Sequence, residues 1–305
     1  MVTKMNKLMF SGYIFVALSS LGFSVKSVLA KLAYTYGTDA ETLVVMRILL
    51  SIPFFLIALA VIEGKEGFKI EKNDLPHYLS MGLLGVGLPI LFAFYSIELI
   101  DASLAALVVY AYPAITIILL QVFCGEKAGI GKYFSIAVTF VGLVFVLKAW
   151  NTTASGIDLK GVGYGLLAAF FYSVYNILNE RKIKKISPIK VVTMCMISAA
   201  IIFGLSIGIR PYPESIEVWL IALTLAFAST FVPFVCYGYS IKHIGASKTA
   251  LVSSIGPIFT VIWAYIILGE TLDGLQFFGM ALIICGIGAL KSKVKEKTAE
   301  DLPLR

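Results

Sequence analysis

Charge is scarce in this chain, and acidic charge is scarcer where it would cost most. Only 14% of the 305 residues are Asp, Glu, Lys or Arg, and all 18 Asp and Glu fall in connecting stretches or at the ends of the long apolar ones. Carriers that exchange protons for lipophilic cations typically keep a carboxylate at membrane depth, and this chain has none to offer. Histidine is nearly absent: His77 and His243 stand alone in connecting stretches, and no HExxH occurs. The four cysteines, Cys124, Cys195, Cys236 and Cys285, sit singly without CxxC spacing, which reads as inert packed thiols rather than a metal or redox site. No GxxxxGK[ST] phosphate loop is present, so this chain consumes no ATP. Without paired carboxylates or clustered histidines in the apolar stretches, no catalytic residue, metal or cofactor is expected.

Apolar residues fill the chain instead. They make up 59% of it, against roughly 45–50% in a soluble domain. Apolar runs with few charges recur from end to end, and runs of this length read as membrane spans. Ten can be drawn, near 8–31, 42–62, 78–97, 102–123, 130–147, 161–179, 189–209, 216–241, 247–268 and 274–290. They must be helices, because an unpaired backbone amide in hydrocarbon costs several kcal/mol and a helix satisfies its own. The first stretch imitates a signal peptide, with Lys4 and Lys7 ahead of it and Val28-Leu29-Ala30 as a loose cleavage site. Lys26 interrupts it and many spans follow, so an uncleaved first helix is the better reading. The longest connection, Glu63 to His77, holds no domain, and the tail 291–305 is polar and expected to be disordered.

The net charge of +7 is a topology signal. With the N-terminus in the cytoplasm, connecting segments on that side hold 19 Lys and Arg, and the other side holds four: Lys31, Lys148, Lys160 and Arg210. Lys26 and Arg47 lie inside spans. Positive residues collect on the cytoplasmic side, so both termini are expected there, in the cell (inner) membrane. The run Arg181–Lys185 and the Lys-rich tail are expected to touch anionic lipid. Nucleic-acid binding has no support.

The chain also repeats itself. "YSIELIDASLAAL" from Tyr95 returns as "YSIKHIGASKTAL" from Tyr239, and an offset of 144 gives 14 identities in 32 positions. The same offset pairs Pro89 with Pro233 and Gly142 with Gly286. Glu98 and Asp101 in the first copy become Lys242, His243 and Lys248 around the same place in the second. Each half holds five spans, an odd number, so the second half enters the membrane from the opposite side and its charges follow. The expected fold class is an all-α polytopic membrane protein with ten transmembrane helices as two inverted five-helix repeats. These repeats cover 8–149 and 161–290, followed by a cytoplasmic polar tail, 291–305. Inverted repeats are a recurring plan of secondary transporters, in which two related halves open a central site to either face in turn.

With this plan in place, the chain resembles the EamA-type transporters of the drug/metabolite transporter superfamily. The resemblance rests on the pair Pro113 and Pro257, on Gly125-Glu126 and Gly269-Glu270 closing the fourth and ninth spans, and on "MRILLS" from Met46. It covers roughly residues 10–290. "FSVKSVLAK" (Phe23–Lys31) departs from the family pattern, with Phe where tryptophan is usual and Lys26 where asparagine is common. The resemblance implies transport, with export the expected direction. Members carry amino acids, sugar phosphates, nucleotide sugars or other small metabolites, so the fold names no substrate.

Two cations inside spans are the sharpest site candidates. A Lys at the centre of a span costs about 2.5–3.5 kcal/mol, so Lys26 either faces a cavity or snorkels toward the outer surface near Lys31. Arg47 either clamps a carboxylate or phosphate or pairs with Glu41 or Asp39. Aligning Phe23–Lys26 with Tyr172–Tyr175 makes Tyr175 the twin of Lys26, with Asn176 beside it, and suggests that the two face one another across a cavity. Tyr110, Tyr95, Tyr239 and Ser254 offer hydroxyls to a ligand or anchor helix ends at the interface. Pro89, Pro113, Pro233 and Pro257 favour helix breaks that can build a binding site. Gly161, Gly163 and Gly165 give a GxxxG pattern suited to close helix contact.

The substrate expected of such a site is a small metabolite, anionic or zwitterionic, such as an amino acid or an organic or phosphorylated acid. A channel or non-transporting scaffold is the alternative, with an intramembrane enzyme behind it. The expected partners are that small-molecule substrate and the lipid bilayer; a homodimer is left open.

Overall fold

The computed structural model describes residues 2–100, 102–125, 129–147, 158–207, 213–268 and 273–288; Asp101, Glu126, Lys148, Arg210, Gly269-Glu270 and the tail lie outside them. All regular structure among the described residues is helical. Helix α1 runs Val2–Ser24 and, past a break at Val25, Lys26–Thr35. Next come α2 (Ala40–Gly67), α3 (Lys72–Leu99) and α4, the last built from Ala102–Val109 and Tyr112–Cys124. Then follow α5 (Ile130–Val146), α6 (Leu159–Ile183), α7 (Pro188–Ile207) and α8 (Ile216–Ile244). Helix α9 is built from Ala246–Val252, a tight turn at Ser253–Ile255 and Gly256–Leu268, and α10 is Gly274–Gly288. Eight of these are long and apolar enough to cross a membrane; α5 and α10, at 17 and 15 residues, are shorter.

The distribution of side chains is the reverse of a soluble protein's. Ser96, Ser173, Asn176 and Asn179 are fully buried, whereas Val61, Leu205 and Ile130 are 80–89% exposed. A contiguous apolar exterior would drive aggregation in water, but it is what lipid requires. This is the build of a multi-pass membrane protein.

Four prolines explain four of the places where the helices lose regularity. Proline has no N–H to give and its ring crowds the carbonyl four residues back. Accordingly α3 widens by an extra residue per turn over Met81–Gly87 just before Pro89, and α8 does the same over Phe227–Phe231 before Pro233. Helix α4 breaks at Tyr110-Ala111 ahead of Pro113, and α9 tightens at Ser253–Ile255 ahead of Pro257. Such irregular turns are frequent at functional positions.

Helices meet in pairs: α1 on α8, α3 on α6, α2 on α7 and α5 on α10. Two of these crossings are nearly superimposable in chemistry. A Cβ at Gly12 would stand 2.7 Å from Ile244 Cγ2, and one at Gly161 would stand 2.7 Å from Ile100 Cγ2. Gly165 extends the second contact to Ser96, so the GxxxG face of α6 meets α3 as its spacing suggests, while Gly163 faces open space. The α5–α10 crossing is antiparallel. Gly142 abuts the carbonyl of Gly279 and the backbone of Ile283, and Ser135 Oγ donates to the Gly286 carbonyl at 2.5 Å.

Candidate functional site

The site begins with the break in α1. Ser20 Oγ donates to the Val16 carbonyl at 2.8 Å and Ser24 Oγ to the Leu21 carbonyl at 2.6 Å. Serine hydroxyls bonded back onto their own helix tend to bend it. The break at Val25 leaves Lys26 opening the second piece of α1, half-buried within the apolar span Met9–Thr35. There it lines a cavity of about 100 Å³. One ordered water needs roughly 10–15 Å³ on the same measure, so the space is several waters in size, the scale of a small metabolite. Its walls come from α1, α2, α3, α4, α6, α8 and α9 and are mostly apolar and aromatic, with Phe23, Ile90, Val109 and Phe234 among them.

Arg47 is the second cation of this cavity and is 1% exposed. Its position follows from Pro233. That residue cannot hydrogen-bond the carbonyl four positions back, on Ser229, and Arg47 Nη2 donates to it at 2.8 Å. Nε and Nη2 also donate to Thr230 Oγ1, at 3.0 and 2.6 Å, and the guanidinium lies 5.2 Å from the centre of the Phe94 ring. The third nitrogen, Nη1, which carries the other two N–H donors, is buried without an acceptor among the described residues. A buried guanidinium that braces a helix with three donors and holds one nitrogen unspent is arranged to receive an oxyanion.

The far side of the cavity is polar but uncharged. Pro257 denies the Ser253 carbonyl the donor four residues on, the Gly256 N–H closes the tight turn onto it instead, and Ser20 Oγ stands 3.4 Å from it. Tyr112 hydrogen-bonds Ser253 Oγ, and the Tyr112 carbonyl accepts from Ser173 Oγ at 2.9 Å. The Tyr172 ring packs edge-on against Tyr112 at 4.9 Å, with Tyr237 5.6 Å from it, which closes the cavity on this side with aromatic rings. No acidic residue lines the cavity. Among the described residues no three His, Cys, Asp or Glu gather closely enough to hold a metal.

Of the positions singled out from the sequence, Lys26, Arg47, Tyr110 and Pro89 come together at this cavity. Pro113, Pro233 and Pro257 do not line it; Pro233 and Pro257 act through the carbonyls they leave without their usual donor. Tyr175 does not line the cavity. It is buried against Gly85 and packs on Tyr172 at 5.9 Å and Phe234 at 6.0 Å, the rings that take the lining positions. Asn176 is buried beside it and away from the cavity, and Ser254 is buried while its neighbour Ser253 faces the space. Tyr95 donates to Glu41, and Tyr239 stacks on Phe15 at 5.4 Å, both outside the cavity. Arg47 does not pair with Glu41 or Asp39: Asp39 Oδ1 caps α2 by accepting from Thr42 N–H at 2.6 Å. The residue missed was Tyr172. Phe23 lines the cavity, and Tyr172 is its twin in the alignment of Phe23–Lys26 with Tyr172–Tyr175, so the repeat itself carried the signal.

Comparison with known proteins sets this geometry in context. The sequence model of the EamA-like transporter family matches the chain twice, over residues 10–148 and 159–290. The uncharacterized transporter YcbK of Bacillus subtilis (strain 168) is 25% identical over 300 residues, covering 94% of this chain and 96% of that protein. A probable amino-acid metabolite efflux pump of Salmonella typhimurium is 28% identical over 259 residues, covering 79% of this chain and 83% of the pump. One solved crystal structure superposes with a TM-score of 0.73 at 18% identity, covering 92% of this chain and 96% of that one, a likeness of fold alone. The twofold match accounts for the recurring prolines and glycines, and the chain belongs to the EamA-like transporter family.

Proposed function

We propose that this transporter is a secondary carrier working by alternating access. In this reading ten helices form two inverted repeats, 8–149 and 161–290, and the cavity holding Lys26 and Arg47 takes a small anionic or zwitterionic metabolite. The observation that carries the proposal is the pair of cations lining one otherwise uncharged cavity between the two halves. Burying two like charges without a counter-ion is costly, and a ligand that supplies the missing charge gives the cost a purpose.

The inverted arrangement draws support from the helix crossings. Gly142 and Gly286 are 144 residues apart, and each packs on the helix that bears the other, in an antiparallel crossing. Helices related by a twofold axis lying in the membrane plane must cross in this manner. The contact of Gly12 with Ile244 is repeated by Gly161 with Ile100, which exchanges the halves. Both termini then lie in the cytoplasm of a cell with this protein in its inner membrane, as the distribution of Lys and Arg favours.

Alternating access draws support from an asymmetry. Ala93 and Ala105 line the cavity. Their counterparts 144 residues on, Tyr237 and Thr249, do not line it, and Thr249 is hydrogen-bonded to Ser240 at 2.9 Å. The cavity thus draws unequally on the two halves, as one of two alternating arrangements would. Export is the direction favoured, since two relatives bear the name of amino-acid metabolite efflux pumps.

The test is counterflow in liposomes without ATP, using radiolabelled phenylalanine, benzoate and glycerol phosphate as probes. At least one should show saturable flux. Lys26→Gln should reduce it about tenfold or more, the scale of losing one hydrogen bond to a charged group. Non-saturating current under voltage would favour a channel, and flux unchanged in both Lys26→Gln and Arg47→Lys would remove the site.

A further inference from the structure

We infer that the substrate is a net anion, a carboxylate or phosphate monoester with an apolar or aromatic remainder, and that the site discriminates against zwitterions. The inference rests on the cavity being the substrate site and narrows the class of solute it takes.

The argument is a count of charges and donors at one place. Lys26 and Arg47 line the cavity and supply two positive charges, and no Asp or Glu lines it. None of the ion pairs found among the described residues involves either cation. Arg47 spends Nε and Nη2 on Thr230 and the Ser229 carbonyl and keeps Nη1 buried with no acceptor, while the residue is 1% exposed. One oxyanion head between Nη1 and the Lys26 ammonium answers both needs at once. A phosphate or a carboxylate meets the same donors.

The remainder of the solute meets rings and methyl groups. Phe23, Tyr110, Tyr172 and Val109 wall the space beyond the cations. The nearby hydroxyls of Tyr112 and Ser253 are already bonded to each other. An α-ammonium group would lose its water there, beside two cations, with no carboxylate to replace that water. Burying such a charge without a partner is costly. A site that had evolved for amino acids would be expected to carry an acid or several free carbonyls at this end. Of the two carbonyls left without their usual donor by the prolines, Ser229 is taken by Arg47 and Ser253 accepts from the Gly256 N–H.

A matched series tests this directly: 3-phenylpropionate, phenylalanine and phenethylamine share a ring and differ in the groups at the other end, and phenyl phosphate replaces the carboxylate. Binding to the full-length purified protein would be measured by calorimetry, on wild type and on Lys26→Gln. The expected result is that 3-phenylpropionate or phenyl phosphate binds at least about tenfold tighter than phenylalanine, that phenethylamine does not bind, and that Lys26→Gln erases the preference. The ratio between the two anions tells carboxylate from phosphate. Equal or tighter binding of phenylalanine, lost in Lys26→Gln, would overturn the net-anion assignment while leaving the cavity as the site. Binding unaffected by Lys26→Gln, or no binding by any of the four, would overturn the site and the inference together.

Discussion

Pro233 cannot donate a backbone hydrogen bond, so the Ser229 carbonyl is left over inside the bundle, and Arg47 reaches across from α2 to fill it. The guanidinium thus does two things with one planar fork. Two nitrogens brace the widened turn of α8 and the third is buried without an acceptor among the described residues. Arg47→Lys separates these roles, because an ammonium is a point charge that cannot reproduce the fork. The variant should lose flux by about tenfold or more, and its apparent melting temperature should fall, since a buried carbonyl left unpaired costs about 1–3 kcal/mol. Both quantities can be read on one purified sample. Full flux with a lowered melting temperature would reduce Arg47 to a brace. Its special position was half legible in the sequence. An arginine inside a span announced itself, but its partners, 182 and 183 residues away, depend on which helices pack together, and nothing near Arg47 encodes that. Tyr172 was legible and overlooked, because the charged twin at Lys26 drew the comparison one turn too far along α6.

At the scale of helices, each of the ten apolar stretches falls on a helix among the described residues, eight of them long enough to span, with ends off by up to six residues, because hydrocarbon leaves the backbone no other way to satisfy itself. The prolines marked the breaks as well. What kind of break forms was not legible: a widened turn in α3 and α8, but an interruption in α4 and a tightened turn in α9, are decided by neighbours that take up the released carbonyls. The α5–α10 crossing depends on glycine in a way that can be measured. A Cβ at Gly142 would stand 2.8 Å from the Gly279 carbonyl oxygen and 2.9 Å from Ile283 N. Both are backbone atoms, which cannot swing aside as a flexible side chain can. Gly142→Ala should therefore lower stability by about 1–3 kcal/mol, the usual cost of overpacking. Gly163 has nothing within 4 Å of the same position, and Gly163→Ala should be neutral or slightly stabilising. Apparent melting temperatures of the two variants in one detergent decide it. Equal behaviour would mean that the α5–α10 contact is looser than its geometry.

For the molecule as a whole, the question is whether the two halves lie upside down relative to one another. Glu98 and Lys242 are 144 residues apart at the same place in the repeated line, and both side chains are exposed. Two copies inserted the same way would put both on one face. Inverted copies put Glu98 outside and Lys242 in the cytoplasm, which also explains why one is acidic and the other basic, since Lys and Arg are retained on the cytoplasmic side. The four native cysteines are first replaced, and Glu98→Cys or Lys242→Cys is introduced singly. A membrane-impermeant thiol reagent should label Cys at 98 on intact cells and Cys at 242 only after permeabilisation. Labelling of both from one side would remove the inverted repeat, and alternating access with it, because the two halves could then no longer exchange roles across the membrane. The cation pair would have to be rebuilt as well, since Arg47 is held by Ser229 and Thr230 of the second half and its place beside Lys26 depends on how that half is turned.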